Sequence, residues 1–475
     1  MATSEQQARL APEQPRESWA ALWALLAGAF LGTLDTTVVN IALRTVQEAF
    51  GASVEQVQLV GTGYILAFAA SLVLGGKLGD RFGRRAVFRT GVLLFLLLSV
   101  ACALAPSLAA LIVLRVLQGL SAALMVPQVL AIIKASFRRK AEIAMSLYGA
   151  TLGTATISGM IVGGLLVGVA GWRSVFVINV PICAFILLGS RRGRVPESHG
   201  DVQGFDVLGP VLLVSAMVTM LVPLSYPGFL SPRTVPAVVV ALVALVACFW
   251  SYERSLERRK GDVVLVPPAM FGRGSVGVGL TVLGIYFVGT AGFNVVLAFH
   301  LQTGYGMTQL RTGVLTSTLG IGFALGSALA HKATRRLGPT VIVAGCAAMV
   351  VTRIVLIAGQ SLPASGALAV TSVMAGATGI AQGVVVPPLM NLVLRSVATR
   401  FSGVASGVLL TVCNCAMAAG QALFLALYAG HGEADASASF ISTQWVMAAL
   451  AALTVLVSLS ALGMFRRDQG VAHED

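Results

Sequence analysis
Fourteen apolar runs, near 20–43, 57–75, 86–105, 108–133, 143–169, 174–190, 206–224, 234–251, 275–298, 312–330, 338–358, 364–392, 402–429 and 441–464, occupy most of this chain. Each is close to the roughly 20 residues that a helix needs to cross the hydrocarbon core of a bilayer. The pattern therefore predicts an all-α, polytopic membrane protein with fourteen transmembrane helices. Composition agrees: 57% of residues are hydrophobic and 11% charged, against roughly 25% charged in a soluble domain, and the mean hydropathy is +0.88. A net charge of +13 would suggest nucleic acid in a soluble chain. Here the basic residues fall in short bursts between the runs, where they set orientation instead.

An even number of spans puts both termini on one side. With the N-terminus in the cytoplasm, the 32 Lys and Arg fall in cytoplasmic segments, apart from Arg44, Arg173, Arg233 and Arg311 outside and Arg115 and Arg353 within runs. That bias predicts two cytoplasmic termini. The first run follows a polar segment and continues into Asp35 rather than into a small-residue cleavage site, so it reads as a retained anchor. The six cysteines (Cys102, Cys183, Cys248, Cys346, Cys413, Cys415) lie within or beside runs without zinc spacing and read as small core residues. The five histidines (His199, His300, His331, His431, His473) are scattered and form no metal or nucleophile constellation, which disfavours a membrane enzyme. The want of a sizeable soluble domain disfavours a sensor. No metal and no bound cofactor is expected. Abundant Ala, Val, Gly and Arg beside only five Lys suggests a GC-rich bacterial genome, hence a bacterial inner membrane.

Residues 76–85, GKLGDRFGRR, set four cations and one carboxylate between the second and third runs. Gly76 and Gly79 allow a second helix to approach closely, Gly83 permits a sharp turn, and Asp80 can pair with Arg84 or with the amide end of a neighbouring helix. The segment reads as a gate latch formed by Gly76, Asp80, Arg81, Gly83, Arg84 and Arg85. Lys77, Arg81 and Gly83 recur 255 positions later as Lys332, Arg336 and Gly338, and Gln118-Gly119 finds a counterpart in Gln382-Gly383, which implies two halves of six spans. Arg335 stands where Asp80 would repeat. The latch is thus expected once, between the second span and the start of span eleven.

The decapeptide resembles the signature loop of the major facilitator superfamily. Two extra central spans, together with LDTTVVNIAL at 34–43, GFDVLG at 204–209 and RFSGVASGVLLTV at 400–412, resemble its fourteen-span drug:proton antiporter family. The resemblance implies two six-helix bundles, at 19–191 and 274–465, joined by a linker with two added helices at 192–273, with cytoplasmic tails at 1–18 and 466–475. A monomer is the family's usual state.

Asp35 is the only carboxylate well inside a run, and an ionisable group in hydrocarbon is a functional candidate by default. Gly28, Gly32, Thr36 and Asn40 make a small or polar stripe beside it, so its side chain should face protein or a wet cavity. Two readings stay open, a proton-coupling acid or a structural pair that snorkels to the surface. In the resembled family this position is an embedded acid implicated in coupling. Arg115, Gln118, Gly119 and Ala122 share one helical face. The string resembles the family's fourth-span motif, whose Arg is proposed to modulate the acid; a structural hydrogen-bond hub is the alternative. Gly149/Gly153 and Gly159/Gly163, with Gly164, form close-packing pairs. Exporters of this superfamily carry Gly-Pro-x-x-Gly-Gly here, whereas Met160 replaces the proline in this chain, which bears on direction. Arg353 reads as snorkelling and His300 as an inert interfacial residue.

A largely apolar cavity, lined by aromatics such as Tyr64, Phe68, Tyr286, Phe287 and Phe293 with Met390, suits a neutral, monocationic or weakly acidic aromatic amphiphile, because one candidate carboxylate cannot offset a dication. Asn40, Tyr64, Gln118, Phe293, Asn294, Asn391 and Asn414 are the candidate substrate contacts. The leading expectation is proton-coupled export of small organic toxins or antibiotics by alternating access, partnered by protons and lipid. Uptake or facilitated diffusion of a metabolite is the alternative, and an enzyme or sensor a distant third.

Overall fold
The computed structural model describes residues 19–137, 140–192, 206, 208–225, 234–260, 264–271, 274–307, 309–398, 401–429 and 436–471. The expected tail at 1–18 and the last residues from 472 lie outside them, as does the side chain of Met160. The regular structure of the described residues is all helical, without strands: α1 (Trp19–Phe50), α2 (Val54–Phe82), α3 (Arg84–Ala103), α4 (Leu108–Ser136), α5 (Ala141–Ala170), α6 (Ser174–Val177), α7 (Asn179–Arg192), α8 (Leu208–Ser225), α9 (Thr234–Lys260), a 3-10 turn (Pro268–Phe271), α10 (Gly274–Thr303), α11 (Gln309–Leu337), α12 (Thr340–Gly359), α13 (Ala364–Arg395), α14 (Ser402–Ala429) and α15 (Ala436–Val471).

Twelve described helices are long and apolar enough to cross a membrane, and two shorter apolar helices, Ser174–Ser190 and Leu208–Pro223, stand at the sixth and seventh of the fourteen runs. This is a multi-pass membrane protein. The sixth run is interrupted at Ile178, and a new helix begins at Asn179 with Pro181 in its first turn, where the missing amide is harmless. Elsewhere caps and glycines mark the ends. Ser53 closes a reciprocal capping box with Gln56 at the start of α2, and Ser107 caps α4. Gly83 and Gly338, the two repeat-related glycines, both hold positive φ, 91° and 58°, so each supplies the reversal into the next helix that a Cβ would strain.

Helices α1–α5 and α7 pack on one another, as do α10–α15, and glycines set the closest approaches. Gly322 and Gly326 on α11 lie against the carbonyls of Gly376 and Ile380, while Gly379 and Gly383 on α13 lie against those of Leu319 and Phe323. On the other side, Gly119 of α4 lies against the Tyr64 carbonyl. Tyr64 and Leu319 are themselves 255 apart, so by packing the counterpart of Gly119 is Gly379, one turn before the Gly383 that sequence alignment selects. The added helix α8 packs on both α2 and α14, whereas α9 packs on α8 and is exposed along most of its length.

Candidate functional site
Within the first set of helices, five elements deliver polar groups to one sealed point. Asp35 of α1 is 1% exposed and Arg115 of α4 is 0% exposed. Arg115 Nη1 donates to Asp35 Oδ2 at 2.6 Å and to Gln118 Oε1 at 2.8 Å, and its Nε donates to the Val60 carbonyl of α2 at 3.1 Å. Asn179 Nδ2 of α7 donates to Asp35 Oδ1 at 2.8 Å and to Ser99 Oγ of α3 at 3.2 Å, and Gln118 Nε2 donates to the same Ser99 at 2.8 Å. The guanidinium carbon lies 4.2 Å from the Tyr64 ring centroid. A charged pair with this many donors and acceptors is compensated against burial, and removing either member strands the other. Chemically it is a carboxylate that can exchange a proton only if the helices part or water enters.

Asn179 and Ser99 were not legible as partners. The signal that could have found Asn179 is its place immediately before Val180-Pro181, where a helix break aims a side chain inward. The stripe beside Asp35 divides between jobs: a Cβ on Gly28 would meet the Phe88 ring at 2.9 Å, whereas Asn40, further along, is exposed beside Gly61.

At the end of the molecule bearing the decapeptide, the two sets of helices meet. Asp80 accepts from Arg84 (Nη2 2.8 Å, Nε 3.0 Å) and from the backbone amides of Gly403 (2.9 Å) and Val404 (2.9 Å) in the first turn of α14. Orphan amides and the positive helix end make this a ready seat for a carboxylate. Its partner is the start of the thirteenth run, not of the eleventh, because the amides that reach Asp80 are those of Gly403 and Val404, which open α14. Gly76 faces the Gly403 carbonyl and Gly407 faces the Leu72 carbonyl, so Gly403 and Gly407, four residues apart, are a close-packing pair that the sequence reading passed over. Arg85 Nη2 donates to the Ser190 carbonyl at 2.5 Å, and Arg81 rests on Phe82. Lys134 of α4 donates to the Val397 carbonyl, and Glu142 of α5 pairs with His331 (3.4 Å) and Arg395 (3.8 Å) from α11 and α13.

The paired glycines of α5 serve two surfaces. Gly149 and Gly153 pack on Ser327, Pro387, Phe323 and Ala324 of the other half, while Gly159 and Gly163 pack on Thr37, Val38 and Ile41 of the helix that carries Asp35. Nothing lies within 4 Å of a Cβ at Gly164. Away from the decapeptide end, α1 and α10 show no comparable packing among the described residues, and Asn40 and Asn294 on them are exposed.

Three expected substrate contacts are committed elsewhere in this conformation. Tyr64 packs under Arg115, Gln118 is tied into the polar cluster, and Phe293 is covered by Arg353, whose guanidinium carbon sits 3.4 Å from its ring centroid. Tyr286 and Met390 are likewise buried. Asn414 donates to the Leu410 carbonyl at 2.8 Å, and Asn391 is half-buried. Arg353 does not snorkel: it is 1% exposed. His300 is buried, stacked 3.9 Å from Phe440. Nor is Asp35 alone. Glu253 of α9 is 0% exposed and accepts from the Val266 amide at 3.3 Å. Beside it Asp206 accepts from Leu208, Gly209 and Tyr252, the last at 2.7 Å. A Cβ on Gly209 would lie 2.2 Å from Asp206 and 2.5 Å from Glu253, so only glycine fits between the two carboxylates. Among the described residues no group of three or more His, Cys, Asp or Glu could hold a metal ion.

The family model of the Major Facilitator Superfamily matches residues 25–421. Among similar proteins, the "Probable actinorhodin transporter" of Streptomyces coelicolor is 33% identical over 89% of this chain and 74% of its own length. The "Tetracenomycin C resistance and export protein" of Streptomyces glaucescens is 32% identical over 82% and 72%, and the puromycin resistance protein of Streptomyces alboniger is 32% identical over 87% and 81%. Among solved structures, the human organic anion transporter MFSD10 aligns with a TM-score of 0.68 at 17% identity, over 94% of this chain and 100% of that one. The proton:xylose symporter XylE aligns with a TM-score of 0.58, also at 17% identity, over 92% and 94%. At that identity the likeness speaks for the fold alone. The helical architecture, the latch and the family match agree: the chain belongs to the Major Facilitator Superfamily.

Proposed function
We propose that the protein exports small amphiphilic antibiotics or drugs across a bacterial inner membrane, exchanging each for a proton through alternating access. Support comes from relatives whose names record transport of actinorhodin, export of tetracenomycin C and resistance to puromycin. The observation that carries the coupling is the sealed Asp35–Arg115 pair, 2.6 Å apart, on helices whose partner α5 also forms the contact between the halves. With both termini cytoplasmic, as the distribution of Lys and Arg favours, the latched end is the cytoplasmic gate and the state described is closed on that side, with Asp35 sealed from water. Asp35 takes its proton when rocking admits water, Arg115 stays held by Gln118 and Val60, and the protonated acid lets the latch part.

Cargo enters between the halves, where Asn40 and Asn294 offer polar contacts and the apolar walls offer area. The protein works as a monomer without a bound cofactor. Everted membrane vesicles test both direction and coupling. Substrate added to vesicles with an imposed proton gradient should collapse the gradient in the wild type and leave it unchanged in Asp35→Asn. A gradient indifferent to every antibiotic that the vesicles demonstrably take up would refute antiport, and uptake reversed in sense would favour import.

A further inference from the structure
We infer that the second set of helices contains a binding site for a small monovalent anion of halide size, built on Arg353. The guanidinium is 1% exposed in α12, yet neither Nη1 nor Nη2 has a hydrogen-bond partner among the described residues, and no carboxylate there pairs with it. An arginine stays protonated in a protein, so this is a full buried charge with two in-plane donors unspent. Phe293 covers one face of the plane at 3.4 Å from its centroid, which offsets part of the charge but cannot accept an in-plane N–H.

The guanidinium lines a small cavity between α10, α12 and α15, walled by Tyr286, Cys346, Met349, Leu450 and Thr454. In that wall the Tyr286 hydroxyl donates to the Gln382 carbonyl at a long 3.3 Å. Two unpaired N–H-bearing nitrogens on a buried cation that lines a cavity describe a site that lacks an anion.

The repeat sharpens this. Thr290 lies 255 positions after Asp35, on a helix that spans the corresponding stretch, and Thr378 donates to Thr352 at 3.1 Å much as Gln118 donates to Ser99. The first half supplies a cation and its carboxylate from the chain. The second half carries a cation on a different helix, Arg353 of α12 next to Thr352, and has threonine at the acid's position. The missing negative charge is therefore brought by solute. The tight, partly thioether-lined walls favour a single weakly hydrated ion such as chloride or bromide over sulfate, phosphate or an aromatic carboxylate.

The experiment uses the full chain in detergent, its unfolding midpoint read at constant ionic strength in sodium gluconate, chloride, bromide, sulfate and benzoate. Wild type should gain at least about 2 °C in chloride and bromide relative to gluconate, and nothing in sulfate. Arg353→Met should abolish the anion dependence while its midpoint in gluconate equals or exceeds wild type, because an uncompensated charge has been removed. Arg353→Lys should retain a weaker halide response. A structural guanidinium would instead lower the midpoint of Arg353→Met in every salt, and that result overturns the proposal, as does a halide response equal in wild type and Arg353→Met. A response to benzoate alone would assign the cation to cargo and likewise overturn the halide site. Should Arg353→Met fail to express, bromide-soaked wild-type crystals decide the matter: an anomalous peak in contact with Arg353 is expected, and its absence refutes the site.

Discussion
Replacing Asp35 with Asn is the sharpest probe of the polar cluster, because the structure predicts both how the geometry adapts and what the loss of charge costs. The new amide oxygen can keep the bond from Arg115. Its NH2 would face the Asn179 Nδ2 donor, but Asn179 Oδ1 has no partner, so a flip of that amide restores the contact and lets Ser99 donate to it. Shape is thus preserved while Arg115, 0% exposed, is left without a counter-charge. Breaking a buried pair in this way costs about 3–5 kcal/mol. Arg115→Met, which strands the carboxylate instead, should cost a similar amount. The double variant should recover part of it, with a coupling of about 2–3 kcal/mol. The assay is a double-mutant cycle of unfolding free energies by denaturant titration in mild detergent. Losses that add to within about 0.5 kcal/mol would show that the two charges do not act as a pair, and the coupling mechanism built on them would fall.

Three other perturbations follow from the same geometry. Asp80→Asn keeps one acceptor for the α14 amides but loses the ion pair with Arg84, so the latched end should open more often, read as faster maleimide labelling of Val404→Cys; an unchanged rate would contradict the latch. A Cβ at Gly76 would lie 2.1 Å from the Gly403 carbonyl oxygen, so Gly76→Ala should give the same increase and slow transport without unfolding the protein. Gly164→Ala meets nothing within 4 Å and should be neutral or stabilise by up to about 1 kcal/mol, whereas Gly159→Ala would press a methyl onto Thr37 at 2.6 Å and should destabilise; equal effects in thermal unfolding would refute the assigned packing.

What the sequence made legible depends on the range of the physics involved. Membrane spans follow from runs of side chains averaged over about 20 residues, so the helices were readable, and only the interrupted sixth run and the short seventh fall below full length. The decapeptide was readable because glycine, aspartate and arginine at close spacing permit few local geometries. Arg115 and Gln118 share a helix face, which spacing shows directly. Their meeting with Asp35, 80 positions away, and with Asn179, 144 positions from Asp35, depends on tertiary packing that no local pattern encodes. The burial of Tyr64, Gln118 and Phe293 was missed for the same reason: a position facing inward says nothing of whether inside means cavity or protein. Arg353 was misread because long charged side chains near helix ends usually snorkel, and here neighbouring helices close over it; Glu253 lies just past the apolar run at 234–251 and was not singled out.

The contacts that join the halves are of a kind suited to breaking. Glycine against backbone carbonyl holds α2 to α14, and Gly149 and Gly153 seat α5 on α11, so parting them exposes little apolar side-chain surface from these positions. The specific grip is polar: two amide bonds to Asp80, the Lys134 contact and the Glu142 pairs. Hydrogen bonds to a charged group contribute about 1.5–3 kcal/mol each, so the two at Asp80 alone hold the closed end by about 3–6 kcal/mol. Shifting a two-state equilibrium from 1:99 to 99:1 takes about 5.5 kcal/mol. The latch therefore lies within what one protonation and one bound substrate can reverse. The buried pair at Asp35 is separate from this grip but linked to it through α5, whose Gly159/Gly163 face lies on the Asp35 helix and whose Gly149/Gly153 face lies on the other half. A protonation that lets α1 shift against α5 thus acts on the same rigid element that carries half of the gate.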